Sequence, residues 1–345
     1  MMAKKIEAYS EQKQSGILLN ANESSENLPS DIIQEIMHAV ENTAFNRYPD
    51  TEQKELRQAY AKAMGLQSEQ VLAGNGSDQM LGLLIGMFLG KGKSLYTYDP
   101  DFSMYEYYAS SYEADVEKYA LPYDGSLDIE RFIQHGREKK VSLVMFSNPN
   151  NPTGSCLSIE QIRKITAGFA PIPVVIDEAY FEFSDETSAL TLLADYDNLY
   201  VTRTLSKAYG LAGVRLGFLI SSAANMAQII PSSVPYALNR ISMKIGAIVL
   251  SHADQIQEKI AETKKRRNEM YAKVKELRSI QFYPSQANFL HGCCDHKEEL
   301  LALFAKENIV IRNYQGKNTF RITIGNAEEN EKVWQVLKQY EEEFA

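Results

Sequence analysis

A lysine in a glycine-turned loop is the residue of this chain best placed to do covalent chemistry. The stretch Tyr200–Ile220, YVTRTLSKAYGLAGVRLGFLI, opens as a short apolar strand and breaks into Thr204, Leu205, Ser206 and Lys207. Gly210 and Gly213 are expected to carry a turn, and Val214–Ile220 a second strand with Arg215 near its start. Glycines at a strand end allow a tight turn and close approach to a ligand. A lysine held among small residues loses its proton more easily than a solvated one, because burial disfavours the ammonium. A Schiff-base lysine needs that property. Ser206 and Arg215 add a hydroxyl and a planar guanidinium, both suited to a phosphate. Alone, the stretch is equally compatible with a surface lysine beside an ordinary glycine loop.

Other polar residues stand where strands end. Val71–Asn75 runs as a strand into Gly76-Ser77-Asp78, ahead of an apolar helix expected over Met80–Leu89. Free N–H groups at such a junction form an anion site, to which Ser77 adds a hydroxyl; an ordinary helix cap is the alternative. Leu143–Phe146 ends in SNPNNPTG, Ser147–Gly154, whose two prolines make a rigid loop. Pro173–Ile176 is apolar without alternation, as suits a strand covered on both faces, and Asp177-Glu178-Ala179-Tyr180 follows it. A carboxylate at the carboxyl end of such a strand lies where open α/β sheets bind ligands. Arg321 lies in a β-branched run, where a buried guanidinium needs an anionic partner.

These residues require alternating elements to hold them. Helices are expected from Ser30, a candidate N-cap, to Val40, over Gln53–Met64, and over Ser126–Lys139. Further strands are expected at Ser94–Tyr98 and Val116–Leu121. The aromatic run from Phe102 through Tyr105, Tyr107 and Tyr108 is expected to pack one helix face into the core. Asn46–Asp50, NRYPD, is a turn by its proline and aspartate, with Tyr48 a half-buried aromatic beside it. A long helical tract runs from about Arg240 to Leu277 with a break near His252, followed by a βαββα-like tail.

Five stretches in order, GSD, NPNNPTG, VVIDEAY, TLSKAYGLAGVRLG and FRITIG, resemble aminotransferases of fold type I that use pyridoxal 5'-phosphate, above all the histidinol-phosphate aminotransferase family. LNANES at Leu19–Ser24 and RYPD at Arg47–Asp50 resemble that family as well. The resemblance implies an α/β fold. A large cofactor-binding lobe over residues 31–245 would hold a mostly parallel, seven-stranded-type sheet covered by helices. An N-terminal arm, 1–30, would precede it and a smaller α+β lobe, 246–345, would follow.

The resemblance also implies roles. Lys207 would hold the cofactor and move the proton. Ser77, Asp78, Ser206 and Arg215 would bind its phosphate, together with Tyr48 reaching in from the second subunit of a homodimer. Asp177 would face the ring nitrogen, Tyr180 and Asn151 the ring oxygen, and Phe102 would stack on the ring. Arg312, Arg321, Asn22 and Tyr9 would bind substrate. The implied reaction is transamination of histidinol phosphate with 2-oxoglutarate, in histidine biosynthesis. An aromatic amino acid aminotransferase, a decarboxylase of a phosphorylated amino acid and a sensory cofactor-binding domain are the alternatives. Relative to the family, the segments before LNANE and between Arg312 and Arg321 are short, which bears on substrate choice.

Composition narrows the classes. At 345 residues the chain has room for two lobes, and 44% hydrophobic with 23% charged residues is ordinary for a globular protein. A formal net charge of −9 argues against nucleic acid as a partner. KKRR at Lys264–Arg267 lies in a helical pattern rich in glutamate and reads as a solvated face. Cys156, Cys293 and Cys294 have no spacing that suggests a disulfide framework or a metal site. MMAKKIEAYSEQKQSG contains no apolar signal, and Gly82–Gly90 is too short to span a bilayer, so a cytoplasmic location is expected.

Overall fold

The structure is a computed structural model that describes residues 15–345. The chain begins with β1 (Ile17–Leu19), α1 (Ser30–Glu41), α2 (Lys54–Met64), β2 (Val71–Asn75) and α3 (Gly76–Phe88). Strands and helices then alternate through β3 (Ser94–Asp99), α4 (Met104–Ser111), β4 (Asp115–Ala120), α5 (Ile129–Glu138), β5 (Leu143–Ser147), α6 (Ile159–Phe169) and β6 (Val174–Asp177). Next come β7 (Leu199–Thr204), β8 (Leu216–Ile220), α7 (Ala223–Ile229), α8 (Arg240–Ser251) and α9 (Ala253–Val274). The tail holds β9 (Gln281–Phe282), β10 (Phe289–Cys293), α10 (Lys297–Lys306), β11 (Ile309–Asn313), β12 (Thr319–Thr323) and α11 (Ala327–Phe344).

A seven-stranded sheet, ordered β2-β8-β7-β6-β5-β3-β4, forms the larger layer. Only β8 runs against its neighbours, so the expected mostly parallel α/β sheet is borne out. Every residue of β5, β6, β7 and β8 is buried, which explains why their sequences do not alternate. Because the other six strands are parallel, β2, β3, β5, β6 and β7 deliver their carboxyl ends to one edge, where β8 begins. Asn75, Asp99, Ser147, Asp177 and Thr204 therefore share that edge.

The second sheet, β1-β11-β12-β10-β9, draws its edge strand from the N-terminal segment, with Ile17–Leu19 parallel to Ile309–Ile311. The break near His252 is present, and α9 links the two cores. Its Ile256 and Ile260 pack into the core of the large sheet, and Met270 and Val274 into that of the small one.

Several expected boundaries shift for identifiable reasons. Ser30 is the first helical residue, preceded by Pro29, and its hydroxyl makes no cap. Asp128 caps α5 by accepting from Arg131 N, which starts that helix three residues later than expected. Helix α3 starts at Gly76 instead of Met80, so Ser77 and Asp78 lie within its first turn. Of the aromatic run only Tyr105 is buried outright, whereas Tyr107 is largely exposed. Arg215 precedes β8 in a left-handed conformation, φ 57°, after a short turn over Ala212–Val214.

Beneath the sheet edge, Arg203 is enclosed with two carboxylates. It donates from Nε and Nη2 to Glu178 Oε2 at 2.9 and 2.7 Å and from Nη1 to Glu182 Oε1 at 3.4 Å. Ser188 Oγ accepts from its Nη2 and itself donates to Glu178. Replacing Arg203 by methionine leaves two buried carboxylates without a counter-charge. Denaturant titration of Arg203→Met should show a loss of about 3–5 kcal/mol; a loss under about 1 kcal/mol, the range of an exposed pair, would mean this cluster is solvated.

Candidate active site

Glycines let the phosphate-type cradle close. Gly76 has φ +75°, and a Cβ there would come within 2.7 Å of Arg215 Nη2. A Cβ on Gly217 would lie 2.1 Å from Ser77 N, so β8 packs flush against the start of α3. Arg215 is thereby laid across the helix N-terminus. Its Nη2 donates to Asp78 Oδ2 at 2.9 Å and its Nη1 to Ser206 Oγ at 3.4 Å. The start of α3, the Ser206 hydroxyl and the Arg215 guanidinium are thus brought together, an arrangement suited to an anion. The Asp78 carboxylate repels an anion, so its part in such a site is to orient Arg215 and to offer its own N–H.

Asp177 ends the apolar β6 and is 3% exposed. It accepts from Tyr105 Oη at 2.8 Å and from Thr202 Oγ1 at 2.9 Å. Burial pushes its carboxyl up to about 6, against the pull of those two hydrogen bonds. Tyr105 and Thr202 were not singled out from the sequence. Thr202 stands across the parallel ladder from Asp177, so the signal was the polar residue inside the apolar β7 run.

Lys207 follows β7 and donates to the carbonyl of Ala21 at 2.7 Å. Burial, and then the field of Arg321, lower its ammonium to about 8. Arg321 is 5% exposed, donates to Asn151 Oδ1, and reaches Asn20 O at 2.8 Å. Its guanidinium also lies 5.0 Å from the centre of the Phe289 ring. Among the described residues no carboxylate pairs with it, and its Nε has no hydrogen-bond partner. Arg312 stands opposite Arg321 in the β11–β12 register, so both side chains leave the same face of the small sheet.

Tyr180 Oη accepts from Asn22 Nδ2 at 3.0 Å and from Asn151 Nδ2 at 3.4 Å, which brings three expected site residues together. Asn22 adopts φ 55° and is fully buried, with its Oδ1 accepting from Thr323 Oγ1. Both ends of its amide are engaged, so within this chain Asn22 braces Tyr180. Phe102 is half-buried, with its ring edge-on to Tyr105 at 5.6 Å. Tyr48 lies apart from this group: it is 77% exposed, not half-buried as expected, and its ring packs against Tyr236 at 4.7 Å. Tyr9 falls outside the described residues. A cleft of about 360 Å³ flanks Lys207, lined by Glu23, Glu26, Lys259, Arg266 and Asn288 among others, and not by Ser77, Asp177 or Arg215.

The arrangement fits pyridoxal phosphate on its own donors and acceptors: a lysine of lowered pKa, a buried carboxylate for a ring nitrogen, and an anion cradle at a helix start. Among the described residues no helix is long and apolar enough to cross a membrane, and no cluster of three His, Cys, Asp or Glu is placed to hold a metal.

The sequence profile of class I and II aminotransferases matches residues 14–337. A histidinol-phosphate aminotransferase from Clostridium kluyveri is 37% identical over 320 residues, covering 92% of this chain and 91% of its own. One from Clostridium novyi is 36% identical over 325 residues, covering 93% and 91%. The structure of histidinol-phosphate aminotransferase from Sinorhizobium meliloti, in complex with pyridoxal-5'-phosphate, superposes with a TM-score of 0.84 at 23% identity, covering 94% of this chain and 91% of that one.

The two shifted groups set a pH dependence. Above about 6 Asp177 is ionised, and above about 8 Lys207 is neutral and nucleophilic. Incubating cofactor-free protein with pyridoxal phosphate and trapping with borohydride should label Lys207, at a rate rising through pH 8. A label on another lysine, or a rise centred near the ordinary lysine pKa of about 10.4, would contradict the assignment.

Proposed function

The chain belongs to the class I and II aminotransferase family, and from that premise we propose that it is a histidinol-phosphate aminotransferase that uses pyridoxal phosphate. The observation that carries the substrate reading is the in-register pair Arg312 and Arg321, with Arg321 buried beside Lys207 and meeting only neutral oxygens. A donor carrying a phosphate ester and an acceptor carrying two carboxylates present anions to one pocket in turn. A planar guanidinium binds either kind in a bidentate way. The identity of the curated relatives over nearly the whole chain supports the same substrate class.

When bound, pyridoxal phosphate supplies an electron-poor ring that accepts the bonding electrons released at the substrate's α-carbon. Ser77, Ser206, Arg215 and the N–H groups of α3 would hold its phosphate. Asp177 would keep the ring nitrogen protonated, while Tyr105 and Thr202 hold that carboxylate in place. Tyr180 and Asn151 would donate to the ring oxygen, and Phe102 would cover one ring face. Lys207 Nζ, neutral above about 8, would take the proton from the substrate's α-carbon and hold it for return. Arg312 and Arg321 would together meet the donor's phosphate, and one carboxylate each of the two-carboxylate acceptor.

A single chain leaves Tyr48 on the surface with Phe45, Val234 and Tyr236, which are 70%, 68% and 51% exposed. An exposed group of large apolar side chains supports a homodimer in which Tyr48 reaches the partner's phosphate site. Mixing an inactive Lys207→Ala chain with an inactive Tyr48 variant should then restore activity, because mixed dimers hold one complete site. A protein that is monomeric at assay concentration would sink the shared site.

The substrate reading is tested by comparing donors. Catalytic efficiency should favour histidinol phosphate over phenylalanine, with ketone and no carbon dioxide as product. Arg312→Gln should lower efficiency for histidinol phosphate by roughly ten- to a hundredfold, the worth of one hydrogen bond to a charged group. Phenylalanine, held through Arg321 alone, should lose much less. Equal losses would remove the phosphate role of Arg312. A wild type preferring phenylalanine would make it an aromatic aminotransferase, and carbon dioxide as product a decarboxylase.

A further inference from the structure

Phe102 and Asn151 follow different strands, β3 and β5, yet both must meet one planar ring. A carboxyl group that neither the fold nor the mechanism above accounts for joins them. Asp101 Oδ1 accepts from Phe102 N at 2.8 Å and from the hydroxyl of Ser147, and its Oδ2 accepts from Ser147 N at 3.1 Å. Ser147 is 2% exposed, and its Oγ accepts from Asn151 N at 2.9 Å and from Asn150 Nδ2 at 3.4 Å. Asn150 Nδ2 also reaches back to Pro100 O at 3.3 Å. Ser147 is the register partner of Asp177, and Asn148 N donates to Asp177 O at 2.9 Å. The contacts therefore run without interruption from the ring-covering residue to the ring-oxygen donor, beside the ring-nitrogen partner.

We propose that Asp101 is a positioning residue for the ring site, clamping the loop that presents Phe102 to the loop that presents Asn151. The inference rests on reading the site as a pyridoxal phosphate site. An aspartate that only shapes its own turn bonds to N–H groups one or two residues ahead. Asp101 does this toward Phe102, but it also holds Ser147, 46 residues away, through both oxygens. A carboxyl is an awkward group to keep there. Burial, with Asp177 as a like-charged neighbour, pushes Asp101 up to about 8. Asparagine would shape the turn without that conflict. What asparagine lacks is a second acceptor, since its amide nitrogen would face the Ser147 N–H donor to donor.

The test compares Asp101→Ala, Asp101→Asn and Ser147→Ala with wild type by equilibrium dialysis of pyridoxal phosphate and by circular dichroism of the bound cofactor's visible band. Asp101→Ala should weaken cofactor binding by about ten- to a hundredfold and collapse the visible band, which reports a fixed, asymmetric ring environment. Asp101→Asn should fall between Asp101→Ala and wild type, and Ser147→Ala should reproduce most of the loss. Leu337→Ala, on the buried face of α11 in the small-sheet core, should lower the melting temperature without moving either readout, which separates positioning from general destabilisation. If Asp101→Ala does not fold, Asp101→Asn decides by itself. Binding within twofold of wild type together with an unchanged visible band, in whichever of these variants folds, overturns the inference. A wild type that binds no pyridoxal phosphate overturns the cofactor reading and this inference with it.

Discussion

Arg321 stands in the central strand of the small sheet and donates to two other parts of the chain, the loop after β5 through Asn151 and the N-terminal segment through Asn20. Taking a guanidinium out of water costs several kcal/mol even after relaxation. The carbonyl acceptors and the face of Phe289 offset only part of that, because none of them carries a charge. The positive field of Arg321 reaches Lys207, whose ammonium burial disfavours first and that field further, with Glu23 and Asp78 opposing. One interaction thus fixes the small sheet over the large one, orders the segment that leads to Asn22, and helps to make the lysine a nucleophile. An anion bound beside Arg321 would supply a counter-charge.

Much of this site was legible because its chemistry is carried by residue types at strand ends. The apolar run of β6 announced a strand covered on both faces, and Asp177 closing it marked the ligand edge; β5 and β7 prove buried in the same way. Tyr105 and Thr202 were harder to see, because a hydroxyl that supports another side chain leaves no pattern of its own. Thr202 becomes visible when the register sets it against Asp177, and Tyr105 when α4 brings its hydroxyl to that carboxylate. Arg215 was expected in a strand, since Val214–Ile220 is β-branched and apolar around it. The close approach of Gly217 to Ser77 instead ends the ladder at Leu216 and turns Arg215 into the left-handed region, toward the helix start.

The role of the N-terminal segment depends on pairing that periodicity cannot show. Ile17–Leu19 offers only three apolar residues, too few to read as a strand with confidence in its partner. In the structure it completes the small sheet beside β11. That pairing delivers Asn20, Ala21 and Asn22 in succession to Arg321, Lys207 and Tyr180. Asn22 was expected to touch substrate. Within this chain its amide makes one hydrogen bond at each end, to Tyr180 and Thr323, so it also acts as a brace of the Tyr180 hydroxyl.

The reversed strand β8 explains why the cradle forms at this helix and no other. A parallel strand at that position would send its own following helix out over the sheet edge, in the space Arg215 occupies. Running backwards, β8 instead begins at the edge, and the residue before it is free to lie across the start of α3. Gly76 removes the Cβ that would push that residue away, and Gly217 lets β8 approach the first turn of α3. The helix dipole and the guanidinium then add at one point, while Asp78 keeps Arg215 from swinging into solvent. The half-exposed Arg215 gains from this a fixed direction more than stability, since an ion pair so open to water contributes little on its own. An anion bound at this helix start would meet the guanidinium already oriented.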